Sequence, residues 1–227
     1  MPQIYVYDTP RQVPREAFAD HWSVSQSAIV SIDLHRGHLD PSPDCPCPAP
    51  RARELVQPVD AFHDAARALG VPIIHVKSVL RPGGVDDIAG IPAAWRRTFP
   101  LHVGPIPGAD QHAIEGSRWT EWVTRVEPGD LQVATKRRLS AFYPTDLDFL
   151  LRNLRVSTVI LNGGFTDCCV LNTAFDANNR TYRVIVLRDL VRGTDEMLER
   201  AALTMVSLHL GLVMDSAELL EVWRTHR

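Results

Sequence analysis

The sequence predicts an α/β fold of three layers, Rossmann-like, in which a mostly parallel six-stranded sheet carries helices on both faces. Short apolar segments rich in β-branched residues alternate with amphipathic segments of helical period, the pattern of right-handed βαβ units. A chain of 227 residues with 45% hydrophobic content is long enough for a single domain, 1–227. Residues 1–25 form an N-terminal arm, and residues 80–129, which lack periodicity, are expected to form a lid or insertion.

The individual elements follow from apolar runs and from the residues that end them. One helix starts near Pro58, which an opening turn tolerates, and stops at Gly70. A later helix has Thr194 as its predicted N-cap and ends at Gly211. The predicted strands are 28–33, 73–79, 131–134, 156–161, 183–187 and 212–214.

Charge and hydropathy exclude several classes of partner. The net charge is −3, and the basic residues are scattered apart from the short run 136–138, so there is no electrostatic footprint for nucleic acid. No segment reaches the roughly 18 consecutive apolar residues of a membrane span, and no leader pattern opens the chain. We therefore expect a cytoplasmic protein whose partner is a small molecule, with neither nucleic acid nor membrane binding.

Three chemically active side chains come at or just after the ends of predicted strands. Asp33 closes the run 28–32, Lys136 follows 131–134, and Cys169 opens the helix after 156–161. Ligands of open parallel sheets bind beyond the carboxyl ends of the strands, so these residues are expected to meet there. The turn before Cys169 contains Gly163 and Gly164, and a helix N-terminus at this place favours the thiolate over the thiol. Nucleophilic catalysis requires such a convergence.

Three segments, in the same order along the chain, resemble the isochorismatase-like cysteine hydrolases. They are 32–33 (ID), 136–147 (KRRLSAFYPTDL) and 163–170 (GGFTDCCV). The resemblance implies a catalytic triad of Asp33, Lys136 and Cys169, since the family's nucleophile lies three residues after a threonine and directly before a valine. Cys168 is the less favoured candidate. The resemblance also implies a cis peptide bond between Gly164 and Phe165, and an oxyanion hole formed by the backbone N–H groups of Phe165 and Cys169.

The family resemblance implies an activity as well. Such proteins hydrolyse a non-peptide C–N bond of a small amide, carbamoyl or urea-type compound through a thioester intermediate, releasing ammonia or an amine. We expect the same of this chain, with no cofactor, as a homodimer or homotetramer. The alternative from another class is a non-catalytic small-molecule-binding or scaffold protein on this fold. A thiol redox pair of Cys168 and Cys169 is a further alternative, which the strain of a vicinal disulfide disfavours.

The substrate pocket departs from the family pattern. Relatives often have Met-Gln after the aspartate, where this chain has Leu34-His35. Residues of this loop, of the aperiodic segments and of the fifth strand's end are candidates for substrate contacts: His35, Arg36, His38, Trp95, Phe142 and Arg192.

The sequence predicts no catalytic metal. The segment 75–78 lacks the Asp-Trp-His-type cluster of metal-dependent relatives. Cys45 and Cys47 with His35 and His38 are an alternative zinc site, although their spacing is not that of a known finger.

Overall fold

A six-stranded parallel sheet in the order β5-β4-β3-β6-β7-β8 forms the centre of the molecule, and the two-stranded antiparallel hairpin β1-β2 is a separate sheet. The computed structural model describes residues 1–225. The strands are β1 (Gln3–Val6), β2 (Thr9–Gln12), β3 (Ser27–Ile32), β4 (Ile73–Ser78), β5 (Leu131–Lys136), β6 (Thr158–Gly164), β7 (Arg183–Arg192) and β8 (Leu212–Met214).

Helices cover both faces of the sheet, as the alternation of elements predicts. They are α1 (Arg36–Leu39), α2 (Val56–Ala68), α3 (Trp95–Val103), α4 (Leu147–Asn153), α5 (Leu171–Asn179), α6 (Glu196–Met205) and α7 (Ser216–Arg224). One turn of π-helix, Thr166–Val170, precedes α5, and another, Val206–Leu210, extends α6. Among residues 1–225, no helix is both long enough and apolar enough to cross a bilayer.

The central strands are buried on both faces, and successive side chains enter different cores. In β3, Ile29 belongs to the cluster under α2 and α7, which contains Phe62 and Trp223. Val30, its neighbour in the strand, belongs to the cluster under α4 and α5, which contains Leu151. One sheet therefore supports two apolar layers, which accounts for the continuous apolar runs in the sequence.

The ends of β6 and β7 differ from the predicted ones. β7 runs to Arg192 rather than ending at residue 187, because Val191 and Arg192 pair with Gly163 and Gly164 beyond a register shift in which β7 has the extra residues. At its other end β6 begins at Thr158, since the backbone N–H of Val156 donates to Leu151 and closes the turn after α4.

The N-terminal arm packs on its own chain. Ile4 is buried in the core, and the Tyr5 hydroxyl donates to the Asp215 carboxylate over 3.0 Å. Residues 80–129 contain α3 and a series of turns but no strand of the sheet. Several of their apolar side chains, among them Ile88 and Leu101, are exposed.

The predicted cap of α6 is wrong by one residue. Asp195, not Thr194, is the N-cap, and its carboxylate accepts a hydrogen bond of 2.8 Å from the Leu198 backbone N–H. Thr194 instead binds Asp167, through both its backbone N–H and its hydroxyl. Both residue types favour N-caps, so the local sequence leaves the choice open.

We expect Asp195→Ala to lower the free energy of unfolding by about 1 kcal/mol, because the first turn of α6 loses its side-chain acceptor. Asp195→Asn is the matched control, since asparagine caps about as well and should keep wild-type stability. Urea denaturation followed by far-UV circular dichroism measures both. An equal loss in the two variants would show that the carboxylate charge, rather than the cap, is what matters.

Candidate active site

A cavity of about 1230 Å³ lies between the carboxyl end of the sheet and the segment 80–129. Ser78 and Lys136, the last residues of β4 and β5, line it together with Cys169. Apolar and aromatic side chains make most of the remaining wall, among them Ile88, Ile91, Trp95, Phe99 and Phe165. The position is the one at which open parallel sheets bind ligands.

Asp33 enters this edge of the sheet through an unusual backbone conformation. It follows β3 directly with a φ of 55°, a left-handed value that non-glycine residues seldom adopt. Gly163, which pairs with Ile32 across the two strands, has a φ of 111°, and a Cβ there would clash with the Ile32 carbonyl oxygen. Only glycine therefore lets β6 pass this close to the end of β3.

The cysteine lies on the π-helical turn between β6 and α5. The peptide bond between Gly164 and Phe165, directly before this turn, is cis. The carbonyl of Cys169 accepts a hydrogen bond of 2.7 Å from the Thr173 hydroxyl, which itself accepts one of 2.9 Å from the Ala141 backbone N–H. These bonds join the turn to the segment that follows Lys136.

The structure brings Asp33, Lys136 and Cys169 together. The Lys136 ammonium donates to the Asp33 Oδ2 over 2.6 Å and lies 3.6 Å from the Cys169 Sγ. It also donates to the Ser78 hydroxyl over 2.6 Å, while the Ser78 backbone N–H donates to the Asp33 Oδ1 over 2.7 Å. All four side chains are buried. The Lys136 ammonium therefore lies between the Asp33 carboxylate and the Cys169 sulfur, and its hydrogen bond to Ser78 fixes its position.

The buried ion pair sets the protonation of both partners. Burial alone would raise the pKa of the Asp33 carboxyl, but the Lys136 ammonium outweighs it and holds that pKa well below its usual range. Burial would likewise lower the pKa of Lys136, whereas the charges of Asp33 and Cys169 raise it above its ordinary value. At neutral pH the pair is a carboxylate and an ammonium.

The surroundings of the cysteine act against the predicted thiolate. The neighbouring Cys168 thiol and burial together raise the pKa of the Cys169 thiol, against the opposing charge of Lys136. The Cys169 thiol in turn lowers the pKa of Cys168, which is half-buried. The prediction of a thiolate considered the helix N-terminus, which lowers a thiol pKa, but not burial, which raises it. Cys169 is only 5% exposed.

The candidate substrate residues divide into two groups. Trp95 and His38 line the cavity, and His35 is fully buried beside His38, with 4.7 Å between their ring centroids. Three others lie away from the cavity wall: Arg36, Phe142 and Arg192.

Each residue of the second group has a structural partner instead. Arg36 pairs with Asp40 and Glu121. Phe142 is buried in the core, where its ring stacks on Tyr182 at 5.9 Å. Arg192 forms an ion pair of 2.6 Å with Glu54. Strand-end and loop positions in the sequence do not reveal these partners.

Two residues of the site were missed by the sequence analysis. Ser78 ends β4 and contacts both members of the ion pair, and its position at a strand end is the signal that would have identified it. His112 is buried and lines the cavity from the segment 80–129. That segment has no periodicity, so nothing in the sequence singles out His112.

A six-stranded parallel sheet flanked by helices, with a thiol, a carboxylate and an ammonium group at its carboxyl edge, defines a protein of the isochorismatase-like hydrolase class. The family model described as the isochorismatase domain matches residues 27–218. The chain belongs to the isochorismatase family.

Curated relatives include amidohydrolases. N-carbamoylsarcosine amidase of an Arthrobacter species is 28% identical over 168 residues, which are 74% of this chain and 60% of that protein. Ureidoacrylate amidohydrolase RutB of Methylobacterium radiotolerans is 34% identical over 160 residues, 67% of this chain and 61% of that protein. The matched stretch thus spans about three fifths of the length of these two relatives.

Solved structures share the fold. A cysteine hydrolase of Pseudomonas syringae pv. phaseolicola superposes with a TM-score of 0.77 at 24% identity, covering 89% of this chain and 94% of that one. The N-carbamoylsarcosine amidase of Thermoplasma acidophilum superposes with a TM-score of 0.65 at 26% identity, covering 84% and 96%.

Proposed function

We propose that this chain is a cysteine amidohydrolase that cleaves a non-peptide C–N bond of a small amide, carbamoyl or urea-type substrate through a thioester. The observation that carries the proposal is the position of the Lys136 Nζ, 2.6 Å from the Asp33 Oδ2 and 3.6 Å from the Cys169 Sγ, at the wall of a large cavity. The amidohydrolase relatives support the reaction class.

In the first step Cys169 acts as nucleophile and Asp33 as general base. Moving the proton from sulfur to carboxylate leaves the net charge of the three groups unchanged, because the negative charge passes from one neighbour of Lys136 to another. The ammonium stabilises both states, so the transfer costs less than the separate pKa values of the two groups would indicate. The thiolate then attacks the substrate carbonyl carbon and forms a C–S bond.

The tetrahedral intermediate places negative charge on the former carbonyl oxygen. The backbone N–H groups of Phe165 and Cys169, on the turn that carries the nucleophile, are the proposed donors to this oxygen. Removal of one such donor costs about 3 to 4 kcal/mol in a comparable enzyme. The C–N bond breaks as Asp33 returns its proton to the leaving nitrogen, which departs as ammonia or an amine.

The second half of the reaction consumes water. Asp33, again a carboxylate, takes a proton from a water molecule that attacks the thioester carbon. The C–S bond breaks, the acid leaves, and the sulfur recovers the proton from Asp33. The balance is one amide and one water consumed, one acid and one amine or ammonia formed.

The side chains that line the cavity indicate which other chemical groups the substrate has. Its wall is largely apolar and aromatic, which suits a planar or hydrocarbon portion. Arg137 also lines it, and the Nη1 of this side chain is buried without a hydrogen-bond partner among residues 1–225. A substrate carboxylate would satisfy that nitrogen. Arg137 lines the cavity, whereas Arg192, a predicted substrate contact, does not.

An ammonia-release screen tests the proposal. The panel contains N-carbamoylsarcosine, ureidoacrylate, maleamate, biuret and nicotinamide, and Cys169→Ala is assayed beside the wild type. We expect at least one compound to release ammonia only with the wild type, and rapid quenching followed by intact-mass analysis to show a covalent acyl-enzyme. If no compound of the panel released ammonia, or if Cys169→Ala released as much as the wild type, a binding or scaffold protein would be favoured.

A further inference from the structure

Three buried histidines that the proposed reaction does not use face a common point beside the cavity. His35 follows Asp33 by two residues, His38 lies in α1, and His112 belongs to the segment 80–129. Each offers one ring nitrogen, and these nitrogens all lie within 4.8 Å of one another. The ring centroids are 4.7, 4.8 and 5.8 Å apart. Chain segments far apart in sequence therefore build one cluster.

Hydrogen bonds to backbone carbonyls orient two of the rings. The His38 Nδ1 lies 2.8 Å from the Cys47 carbonyl oxygen, and the His35 Nδ1 lies 2.8 Å from the Trp119 carbonyl oxygen. Since a carbonyl only accepts, the Nδ1 of the neutral His38 ring carries the proton, and the His38 Nε2 presents a lone pair. The Gly37 backbone N–H donates to the His35 Nδ1 over 3.1 Å, so the hydrogen bonds at His35 fix the orientation of its ring and not its tautomer.

The inward nitrogens lack enough hydrogen-bond partners. The Nε2 atoms of His38 and His112 are 3.3 Å apart, so one N–H can serve that pair. The His35 Nε2 has no hydrogen-bond partner among residues 1–225, and the Asp33 Oδ1 lies 3.8 Å from it. Burying a polar nitrogen without a partner is unfavourable unless something occupies the centre of the cluster.

The surroundings of the rings also suit the neutral form that binds metal ions. All three rings are buried, and burial disfavours the charged imidazolium. The charged groups nearest the cluster, Asp33 and Lys136, form an ion pair and largely offset each other.

We propose that His35, His38 and His112 bind one divalent transition-metal ion of the Zn²⁺ or Co²⁺ kind. Three imidazole nitrogens suit such ions and not Mg²⁺ or Ca²⁺, which prefer oxygen. The carbonyl partners of His35 and His38 are the outer contacts that metal-bound imidazoles usually have. His38 and His112 line the cavity, so the open coordination position faces the space that Cys169 also lines.

This ligand set differs from the alternatives drawn from the sequence. The segment 75–78 contributes nothing to it, and neither Cys45 nor Cys47 belongs to the cluster. The Cys45 thiol donates instead to the Gly37 carbonyl oxygen over 3.4 Å. The sequence predicted no catalytic metal because His35 and His38 were treated as loop residues and His112 was not considered.

Direct metal binding tests the inference independently of any activity. Protein treated with a chelator and desalted is titrated with Zn²⁺ by calorimetry and with Co²⁺ by visible absorption. We expect one equivalent of either ion, Co²⁺ d–d bands of tetrahedral intensity without sulfur charge-transfer bands, and a higher melting temperature with Zn²⁺. His112→Gln should bind at least about a hundredfold more weakly, because one of three ligands is gone.

Control variants test whether side chains outside the cluster bind the metal ion. His102→Gln alters a histidine that is 62% exposed, and Cys45→Ser removes a thiol of the earlier alternative; both should bind as the wild type does. Metal-free melting curves show whether His112→Gln is folded, and His38→Gln is the second variant. Tight binding retained by both histidine variants, sulfur-to-cobalt charge transfer, or no binding by the wild type below millimolar metal would overturn the proposal.

Discussion

Replacing Cys169 by alanine is expected to abolish turnover while leaving the fold intact. The proposed reaction forms its covalent bond at this sulfur, and loss of a nucleophile of this kind lowers kcat by roughly 10⁴-fold or more. Only one sulfur atom is removed from a site that is 5% exposed, so the melting temperature should fall by a few degrees at most. Ammonia release on any substrate found in the screen, with thermal unfolding in parallel, measures both effects.

Cys168→Ala is the matched control for that experiment. Cys168 is adjacent in sequence, lines the same cavity and is more exposed than Cys169. Its sulfur lacks the contact of 3.6 Å that Lys136 makes with Cys169. We expect its loss to change kcat by less than about tenfold, far less than loss of the nucleophile. Full activity in Cys169→Ala combined with none in Cys168→Ala would reverse the assignment of the nucleophile.

The architecture of the sheet was predictable from the sequence because local pattern and tertiary environment agree there. The apolar runs of β3, β4 and β6 are buried on both faces, and each is followed by a break that the sequence marks. Asp33 and Lys136 lie where such runs end, so parallel order alone brings them to one edge. The family assignment, the six-stranded sheet and its helical layers are confirmed.

Contacts between distant loops were not predictable in this way. Phe142 contacts Tyr182, 40 residues away, and Arg192 contacts Glu54, 138 residues away, so neither partner has a periodic relation to its residue. His112 lies in a segment whose path depends on tertiary packing rather than on local propensity. The pKa of Cys169 depends on burial, which a motif does not state. Homo-oligomerisation and a cytoplasmic location stay predictions.

The buried ion pair offers a second test, because each of its charges depends on the other. Lys136→Met leaves the Asp33 carboxylate buried without its partner, and Asp33→Asn does the same to the ammonium. Each single variant is expected to lose about 3 to 5 kcal/mol of unfolding free energy. Arg200→Met removes an exposed ion pair of 2.8 Å with Asp8 and, as the control, should cost about 1 kcal/mol at most.

The double variant Asp33→Asn with Lys136→Met separates stability from catalysis. It buries no unpaired charge, and the asparagine keeps an oxygen to accept from the Ser78 backbone N–H, so it should be more stable than either single variant. It still lacks both the base and the ammonium, so turnover should stay lost. Denaturant unfolding and ammonia release together measure the cycle. If the double variant lost as much stability as the two single variants together, the two charges would not depend on each other. If it still turned over substrate, neither Asp33 nor Lys136 would be needed for catalysis.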